Sequence, residues 1–153
     1  MTMLPFAGFP WSRPVLLLGM WLAMLGSAGA VERTLKIEAP VAIRAGQEIK
    51  VTISAGSDAG KGEKVGFLQA EVSTDGGKTW TAICYLQNCG PQVEQPASVK
   101  SGAAGTSVML RARAAFREGL AGDVDYTGAA IQWEESWKNW AEPPATHRNV
   151  AVK

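Results

Sequence analysis

Leu68-Gln69-Ala70-Glu71-Val72-Ser73-Thr74-Asp75-Gly76-Gly77-Lys78-Thr79-Trp80-Thr81-Ala82-Ile83-Cys84 is the stretch that decides the fold of this chain. Leu68, Ala70 and Val72 alternate with polar residues before its centre, and Ala82 and Cys84 resume the alternation after it. A period of two is that of a half-buried strand. Between the two halves, Asp75-Gly76-Gly77 supplies the positive-φ positions of a tight hairpin turn. The stretch reads as a strand, a turn and a returning strand.

Shorter strands flank it. Thr34–Glu38 alternates and stops at Pro40, and Glu48–Ile53 alternates with Ile49, Val51 and Ile53 on one face. Residues 54–64 read as a loop of Gly, Ser, Asp and Lys, and the chain loosens again through Pro91 and Pro96 before a short strand at Ala97–Lys100. Ser107–Phe116 has the clearest pattern, with Val108, Leu110, Ala112, Ala114 and Phe116 inward and Met109, Arg111 and Arg113 outward. His147–Val152 is the last strand. About seven short strands separated by Gly and Pro, with no long helical pattern, predict an all-β sandwich of the immunoglobulin or fibronectin-III type. A short helix is expected in the long loop before the last strand.

The chain has 153 residues, enough for one domain with a proper core. Residues 1–30 read as a signal peptide: Arg13, then the apolar run Val15–Leu25, then small residues before a cut after Ala30. Eleven residues rise about 16 Å as a helix, short of a hydrocarbon core of about 30 Å. An uncleaved N-terminal anchor drawing on more of this segment is the alternative. The domain would then be residues 31–153, exported to a periplasmic or extracellular space. Of the fifteen basic residues only Arg13 lies in the leader, so residues 31–153 hold fourteen basic against fourteen acidic residues. That balance argues against a nucleic-acid or anionic-membrane surface. Cys84 and Cys89 are an even pair, most simply a disulfide in an exported protein, closing a small loop worth about 2 kcal/mol. A redox-active pair would need a thiol pKa lowered by a helix N-terminus, and no helix is predicted there.

Ser73, Asp75, Gly77 and Trp80 fit the Asp-box pattern Ser-x-Asp-x-Gly-x-x-Trp. Asp75 can cap amides of its own turn and Trp80 can bury its ring on the sheet, a structural role. The same hairpin, with Val108–Ala114 and His147–Val152, resembles the immunoglobulin-like C-terminal dimerisation domain of sulfite-oxidase-type molybdenum oxidoreductases. In that family the molybdopterin belongs to a separate, larger domain, for which 123 residues leave no room, and Cys84 matches no ligand cysteine of it. The resemblance therefore implies no cofactor, no enzymatic activity, and a protein partner: a redox enzyme served as an accessory subunit, or a second copy.

Other chemistry finds no constellation. His147 is the only histidine, without a nucleophile partner and unable to form a multi-histidine zinc site. Asp123 and Asp125 offer two oxygens where calcium takes six to eight. Glu134 and Glu135 are adjacent and would point to different sides of a helix. The candidate binding feature is Trp133, Trp137 and Trp140, spaced four and three apart so as to share one face of a helix ended by Pro143-Pro144, with Tyr126 nearby. Two readings stay open: a lid burying the indoles, or an exposed aromatic patch for a partner protein or a glycan. The expected function is an exported, non-catalytic interaction module, with a carbohydrate-binding module on the tryptophan patch as the alternative, and no metal.

Overall fold

The computed structural model describes residues 30–153, with the backbone alone at 135 and 136. The segment expected to be a leader, residues 1–30, lies outside the described residues apart from Ala30. The elements are β1 (Arg33–Glu38), β2 (Ala42–Ile43), β3 (Glu48–Ser57), β4 (Lys64–Ser73), β5 (Thr81–Gln87), β6 (Gln92–Lys100), β7 (Ser107–Arg117), α1 (Trp133–Ser136) and β8 (Thr146–Val152). They form an immunoglobulin-like sandwich of two sheets, one ordered β1-β3-β6 and the other β2-β8-β7-β4-β5. All strand pairs are antiparallel except the two-residue β2–β8 contact. Among the described residues no helix is long and apolar enough to cross a membrane.

Alternation places the core between the sheets. Ile49, Val51 and Ile53 of β3 face Val65, Leu68 and Ala70 of β4 and Val108, Leu110 and Phe116 of β7 in one buried cluster. Phe116 is fully buried, and truncating such a ring to alanine costs about 3–5 kcal/mol. β3 continues past Ile53 to Ser57, and β6 is one strand from Gln92 to Lys100, where sequence reading expected a loose segment. Pro96 stays within β6 because the strand lies at a sheet edge, where a missing N–H breaks no ladder bond.

The expected disulfide is absent: Cys84 and Cys89 are free thiols. Strand register explains this. Cys84 pairs with Ala70, and the chain then stays alongside β4 until the Cys89 amide donates to the Val65 carbonyl at 2.9 Å. The strand Cys84–Gln87, at about 3.3 Å per residue, carries the chain past the limit of about 7 Å between Cα atoms for a disulfide before it bends at Asn88. Burial raises the pKa of both thiols, which makes them small core hydrophobes rather than nucleophiles.

A buried ion pair ties the loop before β4 to β1. Arg33 forks onto Glu63 at 2.6 and 2.8 Å, and Ser57 Oγ donates to the same carboxylate at 2.6 Å. Gly119 packs against it; a Cβ there would sit 2.3 Å from Glu63 Oε2.

Candidate functional site

The site grows from the outward positions of β4 and β7. Register sets Glu71 against Arg111 and Gln69 against Arg113. Arg111 forks onto Glu71 at 2.6 and 3.0 Å, and Arg113 forks onto Gln69 Oε1 at 2.9 and 3.1 Å. Four residues on, Arg117 lies across a β4 bulge where Gly66 makes room: a Cβ at Gly66 would come 2.3 Å from Arg117 Cδ.

Residues 118–145 lie over this face as a strap. Its first part is a small hairpin held by the pairing of Val124 with Phe116 and with Ala130. Asp123 accepts from Arg117 Nε at 3.1 Å and from the indole N–H of Trp133 at 2.6 Å. Asp125 accepts the amides of Thr127 and Ala129, capping its own turn. Both carboxylates are thus engaged within the chain, and among the described residues no three His, Cys, Asp or Glu side chains gather as metal ligands.

The expected helix over residues 131–140 is a single turn, Trp133–Ser136. Beyond it the carbonyls bond to Arg113 instead of to helical amides: Asn139 O at 2.5 Å, Trp137 O at 3.3 Å and Glu142 O at 3.4 Å. Arg113 is an outward residue, yet it is 3% exposed. Its burial disfavours the charged form and lowers its pKa.

The three strap tryptophans stack on the arginines. Arg111 lies 3.9 Å from the Trp80 ring centroid and 4.1 Å from that of Trp140; Arg113 lies 4.4 Å from Trp140 and 4.3 Å from Trp137. Arg117 lies 5.1 Å from Trp133 and 5.5 Å from Phe67. Phe67, Trp133 and Trp137 complete the end of the ladder with centroids 5.0–5.6 Å apart. Guanidinium over indole is the favoured cation–π geometry. The indoles are half-buried, so the strap is neither a lid sealed into the core nor an open platform. Trp140 contacts two arginines, Arg111 and Arg113. Tyr126 does not join this patch; it packs against the core between the sheets.

The Asp-box turn holds the other end of the ladder. Asp75 accepts from the amides of Lys78 and Thr79 at 3.0 and 2.9 Å and from the Thr79 hydroxyl at 2.6 Å. Ser73 Oγ donates to Asp75 at 2.8 Å and accepts from the Gly77 amide at 2.8 Å. The Thr79 contacts, with Ser73 behind them, hold the Asp75 carboxyl far below the usual carboxylate range. Gly76 and Gly77 have φ of 75° and 86°, and Trp80 donates its indole N–H to Gly77 O at 3.1 Å, which aims its ring at Arg111. His147 is exposed and pairs in register with Arg111, so it stands on the same outer face.

Sequence reading missed Phe67, Glu71, Arg111, Arg113 and Arg117 as members of this site. The available signal was the alternation that pointed Arg111 and Arg113 outward, the same direction in which three tryptophans had to be accommodated. A concavity of about 520 Å³ lies elsewhere, over Gly56 on the three-stranded sheet.

No family model matches the chain, and no curated protein matches it. Among solved structures, a superoxide reductase (neelaredoxin) from Ignicoccus hospitalis is similar at 16% identity and a TM-score of 0.48, over 81% of this chain and 84% of that one. A putative superoxide reductase from Thermotoga maritima is similar at 11% identity and a TM-score of 0.47, over 78% and 85%. A sporulation control protein from Bacillus subtilis is similar at 12% and 0.39, over 82% of this chain and 50% of that one. Likeness of this degree carries no activity across. Two of these are superoxide reductases and the third a sporulation control protein, none a sulfite-oxidase dimerisation domain, so the kinship expected from the hairpin is withdrawn. The expectations of a non-catalytic module, of its carbohydrate-binding alternative and of no enzymatic activity are withdrawn with it. Physically, the hairpin words encode turn capping and ring burial, which serve any sandwich and identify none.

Proposed function

We propose that the chain acts together with a protein partner that docks on the outer face of the β2-β8-β7-β4-β5 sheet, over Trp80, Arg111, Trp140 and His147. The observation that carries this reading is the cation–π ladder. It sets Trp80, Arg111 and Trp140, of the residue types that dominate binding hot spots, partly exposed in one row. Side chains already fixed by stacking lose little rotamer freedom on docking, so contact area there converts well into affinity.

A reductase role, which the names of the structural neighbours would suggest, calls for an electron donor. The donor set does not fit a metal centre: His147 is the chain's only histidine, and no three potential ligands gather among the described residues. The test of the docking proposal is a photo-crosslinking amino acid at His147, with Lys36 on the other sheet as the control, in the chain's own host. The expected result is one discrete adduct from position 147 and none from position 36. No adduct, or the same adducts from both positions, overturns it.

A further inference from the structure

A sheet edge exposes unpaired N–H and C=O groups and will recruit another strand unless something blunts it. The four end strands here are β1, β6, β2 and β5. Three are blunted. β6 carries Pro96 between Glu94 and Lys100, β1 carries Arg33, Lys36 and Glu38 in six residues, and β2 is two residues long. β5 has neither a charge nor a proline. It sits within Thr79–Val93, the longest run without Asp, Glu, Lys or Arg among the described residues. Thr81, Ala82, Tyr85 and Gln87 are exposed, and among the described residues β5 makes no backbone hydrogen bond outside its pairing with β4. A bulge at Ile83 interrupts that pairing, but Cys84–Gln87 runs in regular register.

We propose that β5 pairs antiparallel with β5 of a second copy, about a two-fold axis near Tyr85, joining two five-stranded sheets into one. Self-pairing sets a strand against its own residues, so any charge on it meets a like charge nearby. An uncharged edge escapes that penalty, and residues 31–153 carry no net charge to drive copies apart. A two-fold contact is self-complementary and closes on itself. Tyr85, 49% exposed, lies at the seam of the pair, where an aromatic ring gains most from contact. This pairing uses the strand's edge and the docking proposed above uses the sheet's face, so either can fail alone.

The test is sedimentation equilibrium of the chain as its host makes it, at micromolar concentration, beside Ala82→Lys/Gln87→Lys and a control, Val41→Lys, at an exposed site away from β5. The expected result is a dimer in the wild type and the control, and a dissociation constant raised roughly tenfold or more in the double variant. If the double variant loses its strand circular dichroism, Thr81→Glu replaces it. A monomeric wild type, or a dimer indifferent to charges on β5, overturns the proposal.

Discussion

Replacing Arg113 by Met removes the guanidinium and keeps most of the stem, so the loss falls on the ladder rather than on the core. The side chain stacks on Trp137 and Trp140 and bonds Gln69 and three strap carbonyls. Two cation–π contacts are worth about 0.5–1 kcal/mol each, and hydrogen bonds to a charged donor about 1.5–3 kcal/mol each. Against them stands the cost of burying the charge, which the lowered pKa of Arg113 registers. With its buried acceptors left unpaired at about 1–3 kcal/mol each, the net loss is about 3–5 kcal/mol. For a domain of this size that is roughly 10–20 °C in Tm, if the strap and the sandwich unfold together. If the strap lifts alone, the sandwich keeps its Tm and residues 118–145 lose amide-exchange protection. Calorimetry and hydrogen exchange together separate these two outcomes. A variant within about 1 kcal/mol of wild type, with the strap still protected, would refute the reasoning. Arg113→Lys should recover only a small part, because an ammonium cannot fork or stack as guanidinium does.

Glu63→Leu leaves Arg33 buried without its carboxylate and should cost about 3–5 kcal/mol in chemical denaturation; a loss under 1 kcal/mol would mean that Arg33 finds other partners. Asp75 has a folded pKa held below its unfolded value, so its stabilisation is present above the unfolded carboxyl pKa of about 3.9 and drains away as pH falls below it. Asp75→Asn should therefore flatten the acid limb of a Tm-against-pH curve, and an unchanged limb would refute the turn-capping account. Reducing agent should leave Tm unchanged, and Cys84 should react with a thiol reagent only on unfolding; a Tm that drops on reduction would show a bridge.

The strands were legible wherever a one-residue slip would have turned a buried face outward. The β4–β5 hairpin and the inward set of β7, Val108 to Phe116, follow from that alternation alone. β6 was not legible in full, because an edge strand tolerates Pro96 and such tolerance depends on the sheet order. The disulfide expectation failed for the same kind of reason: Cys84 and Cys89 are close in sequence, but pairing with β4 at Ala70 and at Val65 holds them apart. The tryptophan spacing suggested a helix, yet the strap's carbonyls found Arg113, a partner at least twenty-four residues away. Tyr126 looked like a neighbour of the tryptophans along the chain, and the turn capped by Asp125 sends it to the core instead. Local pattern thus carried the strands, while the site depends on contacts between segments distant in sequence.

The central claim is that arginine–tryptophan stacking holds the strap to the sheet. A double-mutant cycle on Arg113→Met and Trp140→Leu tests it directly, since the difference from additivity isolates the contact between the two side chains. The expected coupling is about 1 kcal/mol or more. Additive losses within about 0.3 kcal/mol would contradict it, and the ladder would then be proximity without energy.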